Sequence, residues 1–275
     1  MRDRLRCPGL RCSGLFRRAI AVFFVSVVHA SAALAFQPLI TDDTGTQGAG
    51  GNQIEFALNR QELKSAGDTT KTRTLPLVYT RGLADTLDAY VGVSHVRIRS
   101  SIAGSDAKGG GNPVLGLKWR FYHNEERKLS IGFKPELQIG VSNDAVARGL
   151  GIDRNSYSGL IIATQETGFG AVHFNVGRSQ MNYGLDANRN ANRHAIHRLS
   201  VAPVFGVAEG WKVAVDLGVT TNPDRTRRAR MGYAELGAIW SPGKDLDFAL
   251  GWIANLADGE PRSFTWTAGV TWRFK

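Results

Sequence analysis

The chain has 275 residues, of which 43% are hydrophobic and 21% charged, with 32 glycines and a formal net charge of +10 at pH 7. Its two cysteines, Cys7 and Cys12, both fall in the first 35 residues, which excludes a disulfide or cysteine–metal framework for the remainder. No later stretch is apolar for long enough to cross a membrane as a helix, so any crossing has to be made by strands.

Residues 1–18 carry Arg2, Arg4, Arg6, Arg11, Arg17 and Arg18 against the single acid Asp3, and "AIAVFFVSVVHASAALA" follows. A basic start, an apolar centre and a small-residue end predict a secretory signal peptide over 1–35, cleaved before Phe36. Its removal takes away six Arg and one Asp, so the net charge falls to +5. Much of the apparent basicity therefore belongs to export.

The next segment, 36–51, reads "FQPLITDDTGTQGAGG". It is too polar and too rich in glycine to span a membrane. One reading makes it a flexible lead-in on the periplasmic side. The other folds it into a lumen as a plug, where Asp42 and Asp43 meet inward Lys and Arg, since charges interact more strongly in a confined site than in bulk water.

From residue 52 onward the pattern is that of strands. Successive side chains of a strand point to opposite faces, and "LSIGFKPELQIGV" at 129–141 places Leu129, Ile131, Phe133, Pro135, Leu137 and Ile139 on one face. The same alternation appears at 114–122, 211–220 and 246–254. Weaker versions lie near 53–63, 73–81, 86–99, 156–167, 169–180, 196–208 and 231–241, with Gly and Tyr interrupting 86–99 and 156–167. The terminal "TWTAGVTWRFK" brings the total to about twelve. Expected connections at 82–86, 124–128, 167–168, 208–210 and 241–245 are short. Those at 64–72, 100–112, 142–155, 181–195, 222–230 and 256–262 are mostly longer and polar. An even strand count with alternating short and long connections predicts an all-β, transmembrane, antiparallel up-and-down β-barrel over 52–275 in the bacterial outer membrane. A Greek-key sandwich has no reason to alternate in this way.

Lys118, Arg120, Lys134, Glu136, Lys212, Asp216 and Arg273 sit mid-strand opposite the apolar positions and are the expected lumen-lining residues. Twelve strands about 4.8 Å apart and tilted about 40° would enclose a backbone diameter of roughly 24 Å. Inward side chains narrow that to a path for small solutes. Gly269, Trp272 and Phe274 resemble the C-terminal signal read by the barrel assembly machinery, although Lys275 follows where the aromatic residue usually ends the chain.

The run Pro38-Leu39, Thr41-Asp42-Asp43-Thr44-Gly45-Thr46, Gly48 and Asn52-Gln53-Ile54-Glu55 resembles the opening of the outer-membrane transporters associated with the meta pathway of phenol degradation. The resemblance covers about twenty residues and implies a channel for aromatic or other hydrophobic compounds. It carries no catalytic residues and no cofactor.

Two other readings stay open, a barrel enzyme of the lipid-hydrolase type and a closed structural or adhesive barrel. For an enzyme the sequence supplies little. His197 and Ser200 point to opposite faces, as do Ser94 and His95, and His173 with Asn175 lacks a serine. His194 and His197 make a weak metal pair, and Gly109–Gly111 lacks the Lys of a phosphate loop. The basic run with Arg225, Arg227, Arg228 and Arg230 is expected in an outward loop, facing lipopolysaccharide phosphates rather than nucleic acid.

Overall fold

The computed structural model describes residues 38–65, 67–256 and 262–275, so the predicted signal peptide lies outside the described residues. Thirteen strands follow one another: β1 (Asn52–Ser65), β2 (Asp68–Ala84), β3 (Leu87–Ser100), β4 (Ala107–Gly110), β5 (Val114–Asn124), β6 (Leu129–Gln138), β7 (Ser156–Thr167), β8 (Gly170–Gln180), β9 (Ala195–Ala208), β10 (Trp211–Thr221), β11 (Arg230–Trp240), β12 (Leu246–Asn255) and β13 (Arg262–Phe274). Each pairs antiparallel with its neighbours, and β13 returns to β1 in register from Asn52↔Phe274 to Lys64↔Arg262. The sheet is thereby a closed barrel.

The barrel has twelve staves because β4 and β5 form one interrupted stave. Both pair with β3, β4 opposite His95–Ile98 and β5 opposite Leu87–Gly92. The break falls at Gly111-Asn112-Pro113, where proline has no amide hydrogen to donate. Asn112 takes over part of the ladder: its side-chain amide donates to the carbonyls of Ile139 and Ile152 at 2.7 and 2.8 Å, and its oxygen accepts from the Ile152 amide at 2.9 Å.

Two expectations about connections are corrected here. The stretch 64–72 is not a long loop, because β1 and β2 run on to Ser65 and Asp68 and only two residues separate them. The stretch 100–112 is not wholly a loop, because it contains β4. Thr and charged residues in the first place, and Ala, Lys and Gly in the second, continue the ladder above the apolar faces, where the apolar alternation that marks strands has already ended. Nor is β3 irregular at its Gly and Tyr positions, since Thr70↔Ser100 to Arg81↔Ala89 pair without a break. Two short helices stand in the longer connections, α1 (Asn143–Ala147) and α2 (Asp186–Ala191).

The wall is inside-out relative to a soluble domain. Leu250 and Trp266 are 65% and 63% exposed, and Phe56, Leu77, Leu117, Ile161, Val176 and Leu236 also face outward. Aromatic residues gather at the short-turn end, with Trp211 stacked on Trp240 and Trp240 on Phe248, and Trp272 stacked on Phe274 at 4.6 Å between centroids. Trp252 with Phe264 and Trp266 mark a second level toward the long-connection end. From Phe264 to Phe274 the outward face of β13 is apolar. Ten steps at about 3.3 Å, tilted about 40°, give roughly 25 Å along the membrane normal, the height of a lipid-facing band.

Most inward positions are polar or small, with Leu160, Ile162 and Ile239 as buried apolar exceptions, and two pairs show how the interior is fitted. Tyr90 lies directly across from Gly116, and Tyr233 from Gly218. A Cβ on Gly116 would meet the Tyr90 ring at 2.1 Å, and one on Gly218 would meet the Tyr233 ring at 2.3 Å. The rings lie flat over the glycines, and their hydroxyls donate to Glu136 and Asp216 at 3.1 and 2.9 Å. Gly218→Ala is expected to lower unfolding stability by about 1–3 kcal/mol through overpacking. Gly243→Ala, with nothing within 4 Å of its Cβ, should leave stability unchanged; urea midpoints followed by tryptophan fluorescence in detergent compare the two.

Candidate functional site

The lead-in crosses the inside of the barrel from Pro38 and meets the wall strand by strand before it becomes β1. Pro38 sits where Gly237 of β11 and Gly251 of β12 leave room, since a Cβ on either would come within 3.0 Å of it. Leu39 is buried among Ala202 and Val204 of β9 and Ala214 of β10. The Ile40 amide donates to Glu235 of β11 at 3.2 Å, and the Thr41 amide donates to Asp216 of β10 at 2.6 Å. The Thr41 hydroxyl lies 2.7 Å from Ser200 of β9 and 2.8 Å from Asp216.

Asn175 of β8 holds the Asp42 backbone from both sides. Its oxygen accepts from the Asp42 amide at 2.7 Å and its nitrogen donates to the Asp42 carbonyl at 2.8 Å. Thr44 then bonds Thr164 of β7 through its amide and Ser130 of β6 through its hydroxyl. The Gln47 amide lies 3.1 Å from both carboxylate oxygens of Asp88 on β3. Finally, Gly48 and Gly50 adopt positive φ, and a Cβ on Gly82 of β2 would fall 1.8 Å from the Gly48 carbonyl. Glycine is required at this close approach.

The charges gather at the middle of this path. Lys118 of β5 reaches Asp42 at 2.9 Å and Asp43 at 3.3 Å, and Lys134 of β6 grips the other Asp42 oxygen while lying 5.1 Å above the Tyr90 ring. Asp42 is 2% exposed. Burial would raise its carboxyl pKa, but Lys118 and Lys134 outweigh that and hold it down to about 2.

The remaining sequence-predicted residues have other places. Glu136 accepts from Tyr90, and Asp216 anchors Thr41. Arg120 donates to the Asp85 carbonyl at 3.2 Å, and Arg273 bonds Asp247 at 2.7 Å. Lys212, one residue into β10, is exposed near the short-turn rim, apart from the central cluster. Gly269, Trp272 and Phe274 lie on the closing strand, Gly269 opposite Ala57 and Trp272 outward and half exposed.

His173 shares a 3.0 Å hydrogen bond with Thr164, His194 bonds the Met181 carbonyl, and His197 lies opposite Arg178 on the outer face. Arg227 pairs with Asp224, whereas Arg225 and Arg228 are exposed in the connection between β10 and β11 and Arg230 is exposed at the start of β11. Asn175, Ser200, Thr164, Ser130, Asp88 and Glu235 were missed as lead-in ligands. Their only trace in the sequence is inward parity, and parity does not say which inward residues share a height.

A closed antiparallel barrel with an apolar, aromatic-belted exterior and a polar interior is the fold of a bacterial outer-membrane protein. No family model matches the chain, and no curated protein matches it in sequence. Among solved structures, an outer membrane channel from Pseudomonas putida F1 is similar at a TM-score of 0.69 and 17% identity, over 84% of this chain and 98% of that one. The NanC porin gives 0.54 at 9% identity over 79% and 98%. The KdgM porin, solved with disordered oligogalacturonate, gives 0.53 at 11% over 81% and 99%. These neighbours share the fold.

Asp42 is lowered from 3.8 to about 2, so the stability it contributes is present above pH 3.8 and is lost as pH falls through about 2. The Thr41, Asp42 and Thr44 amides should stay protected from hydrogen exchange down to about pH 4 and lose protection below it. Lys134→Met, which breaks a buried pair at a local cost of about 3–5 kcal/mol, should quicken exchange at these three amides and leave the amides of β13 unchanged.

Proposed function

We propose that the protein is an outer-membrane channel for small solutes in which residues 38–51 form a fixed constriction across the lumen. The observation that carries this reading is the bonding of consecutive lead-in residues to inward side chains of β11, β10, β9, β8, β7, β6, β5 and β3. A purely structural barrel needs a filled interior, but it has no need of a lead-in segment that crosses the lumen and is held by charge. The hydroxyls an enzyme would use serve the lead-in here, Ser200 contacting Thr41 and Thr164 contacting Thr44.

The solute we favour is an aromatic or other hydrophobic compound with a polar group. The resemblance of residues 38–55 to the phenol meta-pathway transporters suggests this class. Inside the long-connection end, Ile98 of β3 packs with Ala145 and Leu150, and Ile152 packs with Met181 and Tyr183. These buried apolar clusters beyond the charged constriction give surroundings that suit such a molecule. The similarity to the channel from Pseudomonas putida F1 supports the channel reading without naming a solute.

Two partners complete the proposal. Gly269, Trp272 and Phe274 at the closing strand would be read by the barrel assembly machinery. The exposed Arg225, Arg228 and Arg230 would face lipopolysaccharide.

Single-channel recording of residues 36–275 in planar bilayers tests the function. Small, steady, ion-selective steps are expected. Asp42→Asn with Asp43→Asn removes the lead-in carboxylates that meet Lys118 and Lys134. It should raise conductance and shift selectivity toward anions, because a narrow lumen with two fewer negative charges beside its lysines concentrates anions. A folded, silent barrel in both forms would reject the channel reading.

A further inference from the structure

The outer face of β1 to β4 carries a row of charge where that of β10 to β12 carries apolar side chains. Outward Arg60 of β1 lies directly across from Arg73 of β2. Arg73 lies across from Arg97 of β3, and Arg97 across from Lys108 of β4. Four cations thus stand side by side in one hydrogen-bonding row, with strands about 4.8 Å apart. All four are exposed, and among the described residues none of the four side chains has a hydrogen-bond or ion-pair partner.

Like charges directly opposite on neighbouring strands destabilise a sheet, and here three such pairs follow in sequence. Of the described acids nearby, Glu62 pairs with Lys64 at 3.1 Å and Lys71 at 3.6 Å, and exposed Asp106 accepts from the Ser100 amide at 3.0 Å. Among the described residues, no carboxylate pairs with a side chain of the row.

Its height identifies what does. Arg60 is paired across the closing seam with Trp266, one of the aromatic residues of the long-connection level. Two residues toward the short-turn end stands exposed Leu58 on β1, and four residues toward it stand Leu77 on β2 and Val93 on β3. The row therefore lies at the outer edge of the lipid-facing band, level with its aromatic residues at the closing seam. In outer-membrane barrels the end with longer connections is extracellular, opposite the periplasmic chain termini. On the wall at that level the anions are the phosphates of outer-leaflet lipid. Guanidinium groups bind phosphate through two parallel hydrogen bonds. On β10 to β12, by contrast, the outward face carries Leu217, Leu236 and Leu250.

We propose that the row Arg60–Arg73–Arg97–Lys108 is a wall-mounted binding site for the phosphate groups of an outer-leaflet phosphorylated glycolipid of the lipopolysaccharide type. The site lies on the outer wall, separate from the 225–230 loop, and does not depend on whether the lumen conducts. The bound lipid would screen the cation row and fix this side of the barrel at a set depth.

The test uses residues 36–275 refolded in a zwitterionic detergent and titrated with diphosphoryl lipid A. Bound lipid is counted by native mass spectrometry, and the thermal midpoint is followed in parallel. Saturable binding with a raised midpoint is expected for wild type. Arg73→Gln with Arg97→Gln should weaken binding by about tenfold or more while leaving the lipid-free midpoint equal or higher, because the substitutions remove repulsion. Substituting Arg225, Arg228 and Arg230 with Gln should leave this binding unchanged.

Fully dephosphorylated lipid A, phosphatidylglycerol and inorganic phosphate are the comparison ligands, and each should bind far more weakly. Equal binding by the dephosphorylated lipid would overturn the proposal, since the acyl chains alone would then suffice. Equal binding by phosphatidylglycerol or inorganic phosphate would overturn the assigned source. Wild-type affinity in the double variant would remove the row from the site. If the double variant does not fold, Arg97→Gln alone is read in its place, with a weakening of about threefold expected.

Discussion

Hydrocarbon offers no hydrogen-bond partners, so a chain that crosses it as strands has to close its sheet. In this protein the closure is the pairing of β1 with β13, thirteen residues long and without a register shift. Everything else is arranged around that seam. The lead-in enters the lumen because β1 begins at the short-turn end of the seam, and the chain ahead of it has an enclosed wall of polar groups to meet. The girdle of Trp272 and Phe274 lies on the same strand, so the residues that close the barrel also set its level in the membrane.

Closure also creates the problem that the lead-in solves. An apolar exterior with a period-2 alternation turns polar residues inward, and a ring of them is hard to satisfy without solvent or a partner. The lead-in supplies backbone amides to Glu235, Asp216, Asn175, Thr164 and Asp88, and carboxylates to Lys118 and Lys134. Satisfaction is local and sequential, one or two residues per strand. The burial of charge is costly unless it is matched, and Asp42 with its two lysines meets that condition. The wall outside β1 to β4 has the opposite character, with cations in a row that no carboxylate of the described residues meets.

The staves with strict alternation, such as 129–138, 211–221 and 246–255, were legible in the sequence because one face of each is lipid-exposed throughout. The upper parts of β1, β2 and β4 were not. Their outward residues there are Arg, Lys and Glu, so an apolar alternation stops before the hydrogen bonding does. Within the candidate site, Asp42, Asp43, Lys118, Lys134 and Asp216 stood out as charges in telling positions. Asn175 and Ser200 attracted notice only beside histidines they do not serve. A strand pattern assigns a face to a residue, but the strand-to-strand register that aligns Asn175 of β8 with Asp42 is a property of the closed barrel.

The sequence by itself determined that the chain is a wall of strands with one lipid-facing side, because a period of two and aromatic-ended apolar faces admit few other uses. It also determined that the segment after residue 35 is not part of that wall, since Gly, Thr and Asp cannot face hydrocarbon. Only the tertiary structure decided where that segment goes and what holds it. Cross-strand register is fixed by closure and by the interrupted stave at Gly111-Asn112-Pro113, and neither is encoded within a single strand. For the same reason, Arg60, Arg73, Arg97 and Lys108 are scattered cations in the sequence and a single row on the barrel.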